Sequence, residues 1–254
     1  MLLAVNIGNT NTVIGIFEGG KLTVKRRPTK EIRNSPDCCR LIRETIICGG
    51  CALNEAEGSV LASVVPQLTD TFRDAVKQFT GRVPVIAGRD INTGLKLAAY
   101  EGPLLGSDRI AVCAYAWEVY KSPMVVIDMG TATTLNVIDE NGAFLGGAIL
   151  PGLSMGIEAL SKGTAQLPEA DFSQSFRLIG HNTGEAILSG ALYGTAAMTD
   201  GMLQRIRNEI QKDMRVIITG GNSKYILKLC REKMIYEPEL LLKGLELLFR
   251  LNCS

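Results

Sequence analysis

The feature that most constrains this chain is a strand–turn–strand unit that occurs twice. Met124–Asp139 reads MVVIDMGTATTLNVID: an apolar run to Ile127, an acid at Asp128, then Gly130 and the hydroxyl-rich Thr131-Ala132-Thr133-Thr134, then a second apolar run from Leu135 to Ile138. Met1–Phe17 reads MLLAVNIGNTNTVIGIF. Setting Asn6 on Asp128 puts Gly8 on Gly130 and Thr12 on Thr134, and the offset, 128 − 6 = 122 residues, is close to half of the 254-residue chain. Apolar runs broken by a Gly/polar turn read as antiparallel strands joined by a tight hairpin. A repeat at half-chain spacing implies a duplicated fold with a ligand shared by its halves.

The chemistry of the turns narrows the ligand. Each offers backbone N–H groups and hydroxyls to an anion, and Asp128 adds a carboxylate suited to the anion's metal. Gly8 lets the backbone approach a phosphate closely, and Asn9, Thr10, Asn11 and Thr12 add donors. For either turn alone, an ordinary polar hairpin is an open alternative. Gly106-Ser107-Asp108-Arg109 stands at the start of a predicted helix, where anions are attracted. Arg109 can fork onto a carboxylate, and Asp108 can act as general base toward an alcohol. The competing reading is an N-capping acid beside a surface arginine. Thr219-Gly220-Gly221 follows a predicted buried strand and lets a flat ligand lie against backbone.

Composition removes several classes. Apolar content of 46% and charged content of 21% fit a soluble globular protein, long enough for one large domain or two moderate ones. Net charge is +1 with scattered Lys and Arg, so no nucleic-acid partner is expected. No apolar run reaches the roughly 18 residues of a membrane span, and no secretory signal is evident. The cytoplasm is therefore the expected location. Seven cysteines, an odd number, argue for free thiols in a reducing compartment. Cys38, Cys39, Cys48 and Cys51 can in principle hold zinc, but their spacing is not that of a zinc knuckle and non-ligand thiols are the preferred reading. The sole histidine, His181, excludes a histidine-rich metal site and a conventional catalytic triad.

Periodicity predicts strands over Lys21–Arg26, Ser59–Val65, Val83–Ile86, Leu95–Leu97, Gly147–Leu150 and Arg215–Thr219. It predicts helices over Asp37–Ile47, Gln67–Phe79, Ser107–Tyr120, Leu153–Leu160, Ser223–Glu232 and Pro238–Leu251. Thr183–Arg207 reads as a long helical region interrupted near Gly194 and Gly201, and Ser161–Ser175 as irregular and polar. The expected fold is α/β, with two halves that are each a mixed β-sheet flanked by helices. The boundary is set between residues 106 and 107, giving halves 1–106 and 107–254.

Two phosphate-binding hairpins resemble the sugar kinase, actin and heat-shock ATPase superfamily, whose duplicated domains are actin-like (ribonuclease H-like). More closely, the chain resembles the type III pantothenate kinases over nearly its whole length. The residues that carry this are Gly8-Asn9-Thr10-Asn11-Thr12, Ser63-Val64-Val65-Pro66, Tyr100 with Gly106-Ser107-Asp108-Arg109, Asp128-Met129-Gly130-Thr131-Ala132-Thr133-Thr134, Gly146–Gly152, Asn182-Thr183 and Thr219-Gly220-Gly221.

The resemblance implies transfer of the γ-phosphoryl group of ATP to pantothenate, giving 4'-phosphopantothenate, the first step of coenzyme A synthesis. It implies Asp108 as catalytic base, and Tyr100, Gly106, Ser107, Asp108, Arg109 and Thr183 as the pantothenate-binding residues. Asn6, Ile7, Gly8, Asn9, Thr10, Asn11, Thr12, Val13 and Thr131 would bind ATP. Asp128 would hold a monovalent cation, K⁺ or NH4⁺, alongside Mg²⁺ on the nucleotide. The family forms homodimers. Asn6 and Asn136 stand where the family has aspartate, His181 where it often has lysine or arginine, and the Tyr100–Gly106 segment is one residue shorter than usual. Asparagine at position 6 keeps a carbonyl oxygen but loses the charge that Mg²⁺ prefers. A second reading follows from that: a catalytically weakened or inactive paralogue that binds nucleotide or a pantothenate-like ligand in a regulatory role.

Overall fold

A computed structural model describes residues 1–51, 56–102, 105–163, 172 and 176–253. The chain divides into two compact units, Met1–Lys121 with Glu239–Ser254, and Ser122–Pro238.

Unit 1 opens with β1 (Leu2–Ile7), β2 (Asn11–Glu18) and β3 (Lys21–Pro28), an antiparallel meander closed by a 3₁₀ turn at Thr29–Glu31. α1 (Ser35–Gly49) follows, then β4 (Gly58–Ser63), α2 (Pro66–Thr80), β5 (Val85–Ile86) and α3 (Ser107–Tyr120). The sheet order is β3-β2-β1-β4-β5, with β4 and β5 parallel to β1 and to each other in turn. All six residues of β1 are buried. That explains a continuous apolar strand rather than an alternating one, since both faces of the sheet are covered. Leu3, Val5 and Ile7 join the core formed with Leu41, Ile42, Ile46, Phe72 and Val76 of α1 and α2. By the alternation of strand side chains, Leu2, Ala4 and Asn6 face the opposite side.

α1 forms where the local signals agree. The Asn34 side chain accepts from the Asp37 N–H at 3.1 Å, Pro36 occupies the first turn, and Gly50 closes the end with φ 70°. Cys38, Leu41, Ile42, Thr45 and Ile46 form its buried stripe.

Unit 2 repeats the plan: β6 (Met124–Met129), β7 (Ala132–Ile138), β8 (Phe144–Pro151), α4 (Leu153–Gly163), α5 (Thr183–Ile210), β9 (Arg215–Thr219), α6 (Ser223–Ile226) and β10 (Ile235–Tyr236). Its sheet order, β10-β9-β6-β7-β8, matches that of unit 1 strand for strand when β6 is set on β1. The expected duplication of a mixed sheet flanked by helices is therefore present in both topology and strand direction. α7 (Leu240–Asn252) then returns to unit 1 and buries Leu240, Leu242, Leu245 and Leu248. Packing of α3 with α7 keeps both in that unit, so the compact units do not coincide with a cut between 106 and 107.

Several expected boundaries shift. α5 runs unbroken for 28 residues through Gly194 and Gly201. Each glycine costs a helix up to about 1 kcal/mol relative to alanine, and burial of Leu188, Leu192, Ala196 and Leu203 offsets it. The helix expected over Ser223–Glu232 stops at Ile226. The strand expected over Leu95–Leu97 is a single bridge at Lys96, and that over Val83–Ile86 is limited to Val85–Ile86, after Pro84. β10, only two residues long, was not predicted. Most of the irregular stretch Ser161–Ser175 lies outside the described residues.

Candidate active site

In unit 1 the first hairpin closes between Ile7 and Thr12, its last register pair, and the Gly8 N–H donates to the Asn11 carbonyl at 3.1 Å. Asn9, Thr10 and Asn11 are exposed, whereas Thr12 is fully buried. The Thr12 hydroxyl lies 3.1 Å from that of Thr29, so it supports the turn from within. Thr29 does more. Its hydroxyl donates to the Gly8 carbonyl at 2.6 Å and its N–H to the Thr10 carbonyl at 2.9 Å. Both carbonyls are thus spent on protein, which fixes the shape of the turn. Asn6, 8% exposed, sits on β1 opposite Val13.

The start of α3 is tied to the same hairpin. Ile7 pairs with Ser63 at the end of β4, and the Val64 N–H donates to the Ile7 carbonyl at 3.0 Å. Ser107, first residue of α3, accepts from the Ser63 N–H at 3.1 Å and donates back to the Ser63 carbonyl at 3.3 Å. Ser107 therefore locks the helix start to the strand beside the Gly8 turn. Asp108, half-buried, accepts from the Arg109 N–H at 2.8 Å. A side chain on Gly106 would meet that carboxylate, which would have to turn away from its present position. Arg109 is buried, and its guanidinium carbon lies 6.0 Å from the centre of the half-buried Tyr100 ring. Unit 1 thus brings together Asn6–Val13, Tyr100 and Gly106–Arg109.

Unit 2 holds Asp128, Thr131 and Thr183. Asp128 is half-buried at the end of β6, opposite Thr134 on β7 and Thr219 on β9. Thr131 is exposed in the turn, which the Gly130 N–H closes onto the Ala132 carbonyl at 3.0 Å. Three residues separate the last register pair, Met129 and Thr133, against four in the first hairpin. The second turn is one residue tighter, so the expected equivalence of Thr12 with Thr134 does not hold in register: Thr134 opposes Asp128, whereas Val13 opposes Asn6. Asn222 braces this turn. Its N–H donates to the Met129 carbonyl at 3.1 Å and its amide nitrogen to the Gly130 carbonyl at 3.2 Å. Gly130 is the counterpart of Gly8, so each half holds the same turn carbonyl with an unrelated residue, Thr29 in one and Asn222 in the other.

Thr183 is exposed at the first turn of α5. The helix is capped by Asn182, which accepts from the Glu185 N–H at 2.9 Å, and Glu185 in turn accepts from the His181 N–H at 3.0 Å. That last hydrogen bond holds the Glu185 carboxyl below its ordinary range. Asn136 is fully buried in β7, and its amide donates to the Val126 carbonyl and the Thr134 hydroxyl, each at 3.1 Å. It is thus a structural bond between β6 and β7, two residues along β7 from Thr134, the partner of Asp128.

Thr29, Asn222 and the Ser63–Ser107 pair were not anticipated. Their contacts join residues 21, 92 and 44 positions apart, beyond any periodicity. The only available signal was a short polar residue just past a strand end, where such side chains favour backbone bonds. Burial pushes the Cys38 thiol up to about 12, which disfavours the thiolate a metal needs, and Cys51 donates to the Glu18 carboxylate at 2.5 Å. None of the seven cysteines, all among the described residues, is in a disulfide.

Comparison with known proteins bears on this arrangement. The profile of the type III pantothenate kinase family matches residues 2–205. A type III pantothenate kinase of Rubrobacter xylanophilus is 38% identical over 266 aligned positions, covering 100% of this chain and 99% of the relative. Among solved structures, a Baf family protein of Campylobacter jejuni superposes with a TM-score of 0.61 at 19% identity, covering 98% of this chain and 97% of the other. A ROK family glucokinase of Streptomyces griseus gives 0.57 at 13% identity, covering 98% and 99%. At these identities the two structures speak to the fold alone.

Proposed function

The chain belongs to the type III pantothenate kinase family, and from that premise we propose that it moves the γ-phosphoryl group of ATP to the terminal hydroxyl of pantothenate. The observation that carries the residue roles is the Ser63–Ser107 link, which fixes Asp108 and Arg109 beside the hairpin of the Gly8 turn. Asp108 accepts the hydroxyl proton as the oxygen attacks phosphorus. Arg109 forks onto the pantothenate carboxylate. Tyr100 and Gly106 of unit 1 accompany it, and family membership assigns Thr183 to the same substrate. Ser107 acts mainly by positioning, because its hydroxyl is engaged by Ser63. The stretch Asn6–Val13, through its exposed turn residues Asn9, Thr10 and Asn11, is assigned to the ATP phosphates, as is Thr131. Most of the acceleration comes from alignment and charge neutralisation.

Mg²⁺ fits this residue set as a guest of the nucleotide. It keeps several waters and needs few protein oxygens beside the phosphates, and the side-chain carbonyl of Asn6 on β1 offers one. Bound there, it would neutralise charge on the transferring phosphoryl group. Asp128 also supplies the anionic oxygen for K⁺ or NH4⁺. We assign the protein a homodimeric state. In support, seven of the eleven exposed large apolar side chains among the described residues, Leu145, Ile149, Met155, Leu160, Leu178, Ile179 and Tyr236, fall in unit 2, and exposed apolar surface of this kind favours a partner. Free thiols fit a cytoplasmic location.

The test is ADP release coupled to pantothenate, with ATP, Mg²⁺ and K⁺, on the natural chain and on Asp108→Asn. Pantothenate-dependent turnover that the variant loses, with its folding intact, supports the reading. Absence of turnover by the natural chain, or most of the rate surviving in the variant, refutes the activity or the base respectively.

A further inference from the structure

We infer that Arg89 is a positioning residue for pantothenate, acting through Tyr100. The inference rests on the acceptor site proposed above. Arg89 lies just past β5, where the Ala87 N–H still bonds the Leu61 carbonyl of β4 at 2.8 Å, so its backbone is anchored to the sheet. Its half-buried guanidinium donates to three carbonyls of the segment Leu97–Gly102: Nη1 to Gly102, and Nη2 to Leu97 and to Tyr100, both at 3.3 Å. No carboxylate among the described residues pairs with it.

That usage is unusual for a half-exposed arginine, which normally meets a carboxylate or water. The segment it grips has little structure of its own. Within it the Tyr100 N–H closes a turn on the Leu97 carbonyl at 3.1 Å. Half of its six carbonyls converge on one planar fork, which sets both the height and the tilt of the Tyr100 peptide. The ring is then confined from two further sides. The Arg109 guanidinium lies 6.0 Å from its centre, and the position a Gly102 side chain would take is 2.8 Å from its Cε1. Arg89 holds the backbone, Gly102 and Arg109 hold the ring, and the same Arg109 is the proposed carboxylate fork. Loss of Arg89 therefore blurs the acceptor site and leaves the phosphate turn, on other elements, untouched.

The experiment compares Arg89→Met, Arg89→Lys and Tyr100→Ala, singly and with Arg89→Met combined with Tyr100→Ala. Steady-state kinetics are taken against each substrate, with thermal unfolding of each protein. Arg89→Met is expected to raise KM for pantothenate about tenfold, equivalent to ~1.4 kcal/mol, with KM for ATP and Tm unchanged. Arg89→Lys, still a donor but without the fork, is expected to fall between. In the Tyr100→Ala background Arg89→Met should add nothing further, because the two act as a unit. Three results overturn the inference: natural kinetics in Arg89→Met, a joint rise of both KM values with a fall in Tm (a plain loop staple), or additive losses in the double variant. A natural chain that turns over no pantothenate overturns the acceptor reading and this inference together, whereas an active natural chain with any of the other three results overturns this inference alone.

Discussion

Gly220→Ala puts the second half of the site under the sharpest load. Gly220 has φ +93°, a region that costs an alanine about 1–2 kcal/mol. Its Cβ would also stand 2.5 Å from the Asp128 Oδ1 and 2.6 Å from both the backbone N and C of Met129. Ordinary contact begins at 3.4 Å, so 3.4 − 2.6 = 0.8 Å of movement is required against backbone. The Met129 backbone cannot easily yield: it pairs with Thr133 and accepts from the Asn222 N–H. The relief must come from Gly220 retreating or from the Asp128 carboxylate turning away. Strain and overlap together should cost about 2–4 kcal/mol of stability. A displacement near 1 Å in a site that works by alignment costs on the order of a hundredfold in rate. Thermal unfolding and kcat/KM from coupled ADP release, each measured across K⁺ concentrations, read both effects. Gly156→Ala is the control: nothing lies within 4 Å of its Cβ in α4, so it should hold or raise Tm, by up to about 1 kcal/mol of stability. If Gly220→Ala kept the natural Tm and rate, the close packing of this turn on Asp128 would be refuted.

Three further perturbations test other parts of the structure. Asn6→Asp is nearly isosteric on β1 and should raise kcat on the order of tenfold at saturating Mg²⁺, through a charge-assisted contact; an unchanged or lower kcat refutes the metal role of that position. Asn136→Asp replaces an amide that donates to the Val126 carbonyl with a buried carboxylate, at a cost of about 1–3 kcal/mol. Burial raises the folded pKa of such a carboxyl above its unfolded ~3.9, so the Tm deficit should grow as pH rises through that window and shrink in acid; a pH-independent deficit would sink the argument. Glu232 is held below its ordinary range by the Arg207 fork, at 2.6 and 2.8 Å. A depressed carboxyl stabilises above its unfolded pKa and loses that contribution as pH falls through its folded value. Arg207→Met should therefore lower stability by about 1–2 kcal/mol at neutral pH and less in acid, as thermal unfolding at the two pH values will show.

The repeat of Asn6-x-Gly8 in Asp128-x-Gly130 was enough to anticipate two sheets of like topology, because strand, turn and strand are local patterns and the rest of each half must complete the same sheet. What escaped was of two kinds. Where packing overrode propensity, local reading misjudged extent: α5 continues through Gly194 and Gly201, and β10 is a two-residue strand that exists only by pairing with β9. Where one side chain supports a distant backbone, nothing local marks it. Thr29 reads as a polar residue after a proline, and Arg89 as a surface cation. Equal spacing of Gly8–Thr12 and Gly130–Thr134 also hid a one-residue difference in turn length, since a hairpin's register depends on how the turn closes. The site motifs were visible because backbone–anion chemistry restricts residue choice. Their supports were not, because many residue types can hold a carbonyl.

The return of α7 to unit 1 sets an order of events on the ribosome. β1 and β4 are among the first strands to be synthesised, yet α7, which packs against both, follows only after the whole of unit 2. At roughly 5–20 residues per second, the interval is on the order of ten seconds. During that time Ala4 and Leu2 lack part of their eventual cover, while unit 2 has a sheet and flanking helices within one continuous stretch, Ser122–Pro238. The later half can therefore mature first, and the earlier half must wait in a partly open state that chaperones are suited to shield. The half that carries Asp108 is thus the last to be finished.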